Sequence, residues 1–137
     1  MRVLFDTNII LDIALMRVPH YVDSVNVLNK VDNKSIFGFI TATSITDIYY
    51  VSKKEKGHLI AFEFISNIIK LLDVIGIDKA IIIESLASKL TDFEDTIQST
   101  ASSFNNIDYI ITRNKKDFKN SEIEALTPIE LLNQIIK

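Results

Sequence analysis

The chain has 137 residues, no cysteine, a formal net charge of −3 and 47% hydrophobic residues. That length suits one domain with a real core, and the lack of cysteine excludes disulfides and thiolate metal sites. The slight acidity does not advertise a nucleic-acid binder, and the most apolar stretch, Ile9 to Met16, is broken by Asp12 and far too short to span a membrane.

Arg2-Val3-Leu4-Phe5 reads as a short strand rather than the basic-then-apolar opening of a signal peptide, so a soluble cytoplasmic protein is expected. Asp6-Thr7-Asn8 stops it, and Thr7 or Asn8 offers a cap for a helix from about Ile9 to Met16. After Pro19 a second helix is predicted over Tyr21 to Val31, followed by a buried strand over Ile36 to Ile40. Thr41 and Thr43 offer caps for a helix carrying Ile45, Ile48, Tyr49 and Ser52 on one face, and Gly57 separates it from another over Leu59 to Leu71. Val74-Ile75 reads as a brief strand, and Asp78 as the cap of a helix over Lys79 to Leu90.

Thr91 and Glu94 have capping-box spacing, which predicts a helix from there to Phe104, ended by Asn105-Asn106. Tyr109-Ile110-Ile111 and Glu124-Ala125-Leu126 read as strands, and Thr127, Pro128 and Glu130 start a last helix. Strands alternating with helices predict a single α/β domain over residues 1–137, with a parallel sheet of about five strands covered on both faces.

Four polar stretches stand at strand ends or on flanking helices: Asp6-Thr7-Asn8, Thr46-Asp47, Asp92-Phe93-Glu94-Asp95, and Thr112 to Phe118. In an open α/β sheet such places converge on one crevice, where several carboxylates call for a hard divalent cation. Taken singly, Asp6 is a ligand or a cap, and the two readings stand level. Asp47 lies on the wheel opposite Ile45, Ile48 and Tyr49, which reads as a solvated face. Asp92 and Asp95 share a helical face, but acids there also complement the helix macrodipole. Asn114 is a turn residue or a neutral oxygen ligand, and Asp117 by default a surface charge.

The basic residues cluster twice, as Lys53-Lys54-Lys56 and as Arg113, Lys115, Lys116 and Lys119, the second inside an acidic stretch. His20 and His58 have neither a nucleophile beside them nor zinc-site spacing, and three scattered glycines make no phosphate loop.

Together the motifs Val3 to Asp12, Thr46 to Tyr50, Asp92 to Gln98 and Asp108 to Phe118 resemble those of the PIN-domain family, in particular its small VapC-type toxins. The resemblance covers essentially the whole chain. It implies a three-layer α/β/α sandwich and a Mg²⁺- or Mn²⁺-dependent ribonuclease in which Asp6, Asp47 and Asp95 hold the metal. A fourth acid commonly follows Thr-Arg in the last motif. Here Asn114 stands there, with Asp117 three residues on, which leaves open which of the two, if either, completes the site; Asp92 is a further acid. Thr7, Arg113, Lys115 and Lys116 are candidate contacts to RNA phosphates. A homodimer and an antitoxin partner are also implied. Two rivals stand beside this reading: a PIN-like binding module with an impaired site, and an RNA-processing nuclease without an antitoxin.

Overall fold

The computed structural model describes residues 1–136. In chain order they form β1 (Arg2–Phe5), α1 (Thr7–Ala14), α2 (Tyr21–Asp32), β2 (Phe37–Thr41), α3 (Ala42–Lys56), α4 (His58–Leu71) and β3 (Asp73–Ile75). Then follow α5 (Lys79–Leu86), α6 (Phe93–Phe104), β4 (Tyr109–Ile111), a 3₁₀ turn (Lys115–Phe118), β5 (Glu124–Leu126) and α7 (Pro128–Ile136). The strands pair in parallel in the order β3-β2-β1-β4-β5.

Alternation along each strand sends side chains to two separate cores. Val3, Phe5 and Ile111 join Ile9, Val27, Ile48, Ile68 and Leu131 under α1–α4 and α7. Leu4 and Ile110 join Ile81, Ala101 and Phe118 under α5 and α6. The result is the three-layer α/β/α sandwich with five parallel strands that the sequence predicts. Gly38 in β2 shows how closely one helical layer sits: a Cβ there would stand 2.5 Å from Leu72 and 2.9 Å from Val31. Any other residue there would force those buried side chains to shift.

Several local expectations need correction. Helix α1 begins at Thr7, with Asp6 at the cap position, and neither Thr7 nor Asn8 caps it. Helix α5 stops at Leu86 instead of Leu90. Its end tightens into bonds from Ala87 N–H to Glu84 O and from Ser88 N–H to Ser85 O, and Ser88 Oγ then takes the Leu90 N–H. The Thr91–Glu94 capping box does not form, because Asp92 takes the cap by accepting from Asp95 N–H at 3.0 Å. Glu94 is thereby freed for other partners. The box at the last helix does form: Glu130 N–H donates to Thr127 Oγ1 and Thr127 N–H to Glu130 Oε1.

Among the described residues no helix is long and apolar enough to cross a membrane.

Candidate active site

The strand order places a topological switch between β1 and β4: successive connections leave β1 toward β2 on one side, while β4 and β5 lie on the other. Ligand crevices of open α/β sheets lie at the carboxyl ends of such strands. Asp6 follows β1 directly, Thr112 follows β4 directly, and α6 crosses nearby with Asp95 and Gln98 on one face.

Asp6 is only 6% exposed, yet no cation meets it among the described residues. Gln98 Nε2 donates to its Oδ1 at 3.1 Å and Thr112 Oγ1 to its Oδ2 at 2.8 Å. Both donors are neutral. Burial raises the Asp6 carboxyl above the ordinary carboxylate range despite these bonds, and the charge of Asp117 adds to the rise. Asp95 is pushed up to about 7, first by burial and then by the charges of Asp6, Asp92, Asp117 and Glu94. Glu94 is raised as well, by burial above all, against the bond from Thr7, with Asp47 adding both its charge and a hydrogen-bonding contact. The four scattered stretches therefore meet as one mutually repelling cluster of acids.

Within it the predicted residues fare differently. Asp47 is half-buried on the flank of the Ser44–Ile48–Ser52 stripe of α3, not on a solvated face, and it lies against Glu94. The hydrophobic set expected on the wheel divides instead: Ile48 goes into the core while Ile45 and Tyr49 turn toward α4. Asn114 opens the 3₁₀ turn, donating its N–H to Thr112 Oγ1 at 3.1 Å and accepting from Asp117 N–H at 3.2 Å. That turn swings Asp117 back so that its charge reaches both Asp6 and Asp95. Asp92 caps α6 and acts on Asp95 through charge.

The candidate phosphate contacts are less free than their sequence suggests. Thr7 is buried, its hydroxyl held between Ser44 and Glu94. The Arg113 guanidinium turns onto the fully buried Asp12, with Nε 2.9 Å from Oδ2, and Arg17 approaches the same carboxylate at 3.5 Å. Lys115 pairs with Glu130 at 3.0 Å. Lys116 is exposed and has no ion pair among the described residues.

Residues that the sequence did not single out for the site include Gln98, Thr112, Ser44 and Glu94. Gln98 carried a usable signal, lying three residues after Asp95 on the same face. From sequence alone Glu94 reads as a capping-box residue, which conceals its reach toward α1 and α3.

The donor set is all hard oxygen and carries excess negative charge, which fits Mg²⁺ or Mn²⁺. Asp6 uses one bond per oxygen and retains acceptor capacity. Gln98 is fully buried with its amide oxygen unpartnered, an acceptor suited to a cation's water shell. Among the described residues no three such side chains stand close enough, as they are, to enclose an ion unaided. Mg²⁺ keeps several waters and takes few carboxylates, so this looseness agrees with a hydrated ion.

A family model for the PIN domain matches residues 2–116. The chain belongs to the PIN domain family. The matched part of this PIN domain includes Asp6, Asp47, Asp95 and Asn114 and ends one residue before Asp117. No curated protein matches it by sequence. Solved structures share the fold at low identity. VapBC2 from Rickettsia felis, bound to a DNA fragment from its promoter, is 17% identical with a TM-score of 0.71, over 93% of this chain and 98% of that one. A toxin–antitoxin complex from Klebsiella pneumoniae is 22% identical with a TM-score of 0.70, over 92% and 97%. The sarcin–ricin-loop-cleaving toxin VapC20 of Mycobacterium tuberculosis is 9% identical with a TM-score of 0.64, over 79% and 86%.

Proposed function

We propose that this PIN domain is a divalent-cation-dependent endoribonuclease, acting as the toxin of a toxin–antitoxin pair. The observation that carries the reading is the cluster itself. Burial and neighbouring acids, Asp117 for Asp6 and Asp6, Asp92, Asp117 and Glu94 for Asp95, raise the proton affinity of Asp6 and Asp95 at the switch point of the sheet, and among the described residues no cationic side chain pairs with them. Asp6 and Asp95 are the residues that would hold Mg²⁺ or Mn²⁺, with Asp117 beside them and Asp47 reached through Glu94. Such an ion, when bound, binds the scissile phosphate and lowers the pKa of a coordinated water.

The chain's own part is to place the ligands. Gln98 and Thr112 hold the two Asp6 oxygens, so the carboxylate does not rotate. Asn114 holds the turn that brings the exposed Asp117 near enough for its charge to act on Asp6 and Asp95. Without a cation the crevice repels a polyanion, so RNA binding is coupled to ion binding. Lys116 stands free to meet a flanking phosphate, whereas Arg113 fixes the base of the same loop through Asp12.

Two observations support a protein partner. The fold is shared with chains solved as toxin–antitoxin complexes. In addition, α4 leaves Leu59, Ile60 and Phe62 more than half exposed, beside an apolar groove of about 330 Å³ lined by Ile45, Tyr49, Phe62 and Ile65. An antitoxin or a second copy of the chain would cover such a surface.

The test is cleavage of labelled single-stranded RNA with Mg²⁺ or Mn²⁺, by wild type and by a folded Asp6→Asn variant. Cleavage by wild type alone supports the nuclease. Equal inactivity of both with either ion would instead leave a binding module.

A further inference from the structure

Thr7 Oγ1 donates to Glu94 Oε1 at 2.8 Å and also stands 2.6 Å from Ser44 Oγ. A hydroxyl has one proton, so Thr7 must accept at the Ser44 contact. Ser44 thereby commits its own proton to Thr7 and must accept from Thr41 Oγ1, 3.0 Å away. Thr41 in turn accepts from Thr43 Oγ1 at 3.1 Å. The proton direction is fixed along the whole chain: Thr43 to Thr41, to Ser44, to Thr7, to the Glu94 carboxylate. Thr7 and Ser44 are both buried, so these bonds are shielded from water.

Three members of this chain adjoin acids of the site. Thr7 follows Asp6 in sequence, Ser44 precedes Asp47 by one helical turn, and Glu94 precedes Asp95. The chain thus ties the first turns of α1, α3 and α6, three helices that start near the carboxyl ends of the sheet and carry the acids.

We propose that Glu94 is a positioning residue of the active site, the carboxylate on which a one-way hydroxyl chain ends and by which Asp6, Asp47 and Asp95 are held in register. This rests on the nuclease reading above. Glu94 acts through its neighbours: an acceptor at its Oε1 position is required, and a full negative charge is not.

The test compares wild type with Glu94→Ala, Glu94→Gln, Thr7→Val and Thr7→Ser. Mn²⁺ affinity is read by calorimetry, RNA cleavage in parallel, and folding by circular dichroism and urea titration. Glutamine keeps the acceptor and offers its amide N–H toward Asp47, and serine keeps the hydroxyl. Glu94→Ala and Thr7→Val are each expected to weaken Mn²⁺ binding about 10- to 100-fold, while Glu94→Gln and Thr7→Ser restore most of it. The double variant Thr7→Val/Glu94→Ala should lose little more than either single, because both break the same link.

The inference is overturned if Glu94→Ala, folded, binds Mn²⁺ like wild type. It is equally overturned if Glu94→Gln loses as much as Glu94→Ala, since the charge would then act directly on the ion. Wild type that neither binds Mn²⁺ nor cleaves RNA removes the nuclease reading itself, and the positioning role falls with it.

Discussion

Two buried aspartates, six residues apart, receive opposite treatment from the fold. Asp12, fully buried in α1, is met by Arg113 at 2.9 Å and by Arg17 at 3.5 Å, so the chain supplies its counter-charge. Asp6, nearly as buried, is met by an amide, a hydroxyl and the charge of another acid. A charge taken out of water is costly unless paired. At Asp12 the fold resolves that cost internally. At Asp6 it leaves the cost open, which makes sense where the counter-charge is to arrive from solution as a metal ion. The contrast separates an acid that builds the structure from acids that work in it.

Substitution at the two positions should therefore move different quantities. The largest effect is expected at the site: Asp6→Asn should lower RNA cleavage by about 100-fold or more, since an ion's contribution is several kcal/mol and each 1.36 kcal/mol is tenfold. The same change should leave metal-free stability at pH 8 equal or higher, as read by urea unfolding. Asp12→Asn should do the reverse. It removes the buried charge that forms ion pairs with Arg113 and Arg17 and accepts a hydrogen bond from Arg113, and is expected to cost about 2–3 kcal/mol of stability, while activity of the remaining folded protein falls far less. A stable Asp12→Asn protein without activity would break the distinction.

A smaller effect concerns pH. Asp6, Glu94 and Asp95 all hold protons more tightly folded than unfolded, Asp95 up to about 7 against an ordinary 3.8. The contribution of Asp95 to stability is fully present below about pH 4 and is lost as pH rises through about 7, and those of Asp6 and Glu94 are likewise lost as pH rises. Metal-free protein should thus melt at a lower temperature at pH 8 than at pH 5.5, and Mn²⁺ should recover the difference, more at pH 8 than at pH 5.5. A melting temperature that climbs across this range without metal would contradict the account.

The smallest effect is at the loop. Lys116→Ala should raise KM for RNA a few-fold and flatten its salt dependence by about one phosphate contact. Lys115→Ala, whose charge is already shared with Glu130, should change KM less.

How far the sequence foretold this depends on the range of each interaction. Strands such as Val3-Leu4-Phe5 and Tyr109-Ile110-Ile111 were legible because burial on both sheet faces selects short apolar runs. Asp6 was legible for the same reason, as the first polar residue after such a run. Asp95 and Asp117 were legible as candidates, but only the turn opened by Asn114 shows how Asp117 returns to the crevice. Asp12 passed as a mere interruption of an apolar stretch, since its partner Arg113 lies 101 residues away. Glu94 was misread because the capping box and the Thr7 contact are alternative uses of one side chain, and Asp92 had already filled the cap. Asp47 reads as solvated from the sequence because a wheel set on Ile45, Ile48 and Tyr49 treats them as one face, whereas Ile45 and Tyr49 face α4 and only Ile48 lies with Ser44 and Ser52 on the buried stripe.

The central claim is that the acid cluster obtains its counter-charge from a metal ion while Asp12 does not. Calorimetric titration of the protein with Mn²⁺ at pH 7, repeated in buffers of different ionisation enthalpy, tests it most directly. With Asp95 titrating at about 7, binding should release about half a proton from that residue alone. That release should survive in Asp12→Asn and disappear in Asp95→Asn. Binding without proton release, or no binding by the folded wild-type protein, would contradict the account.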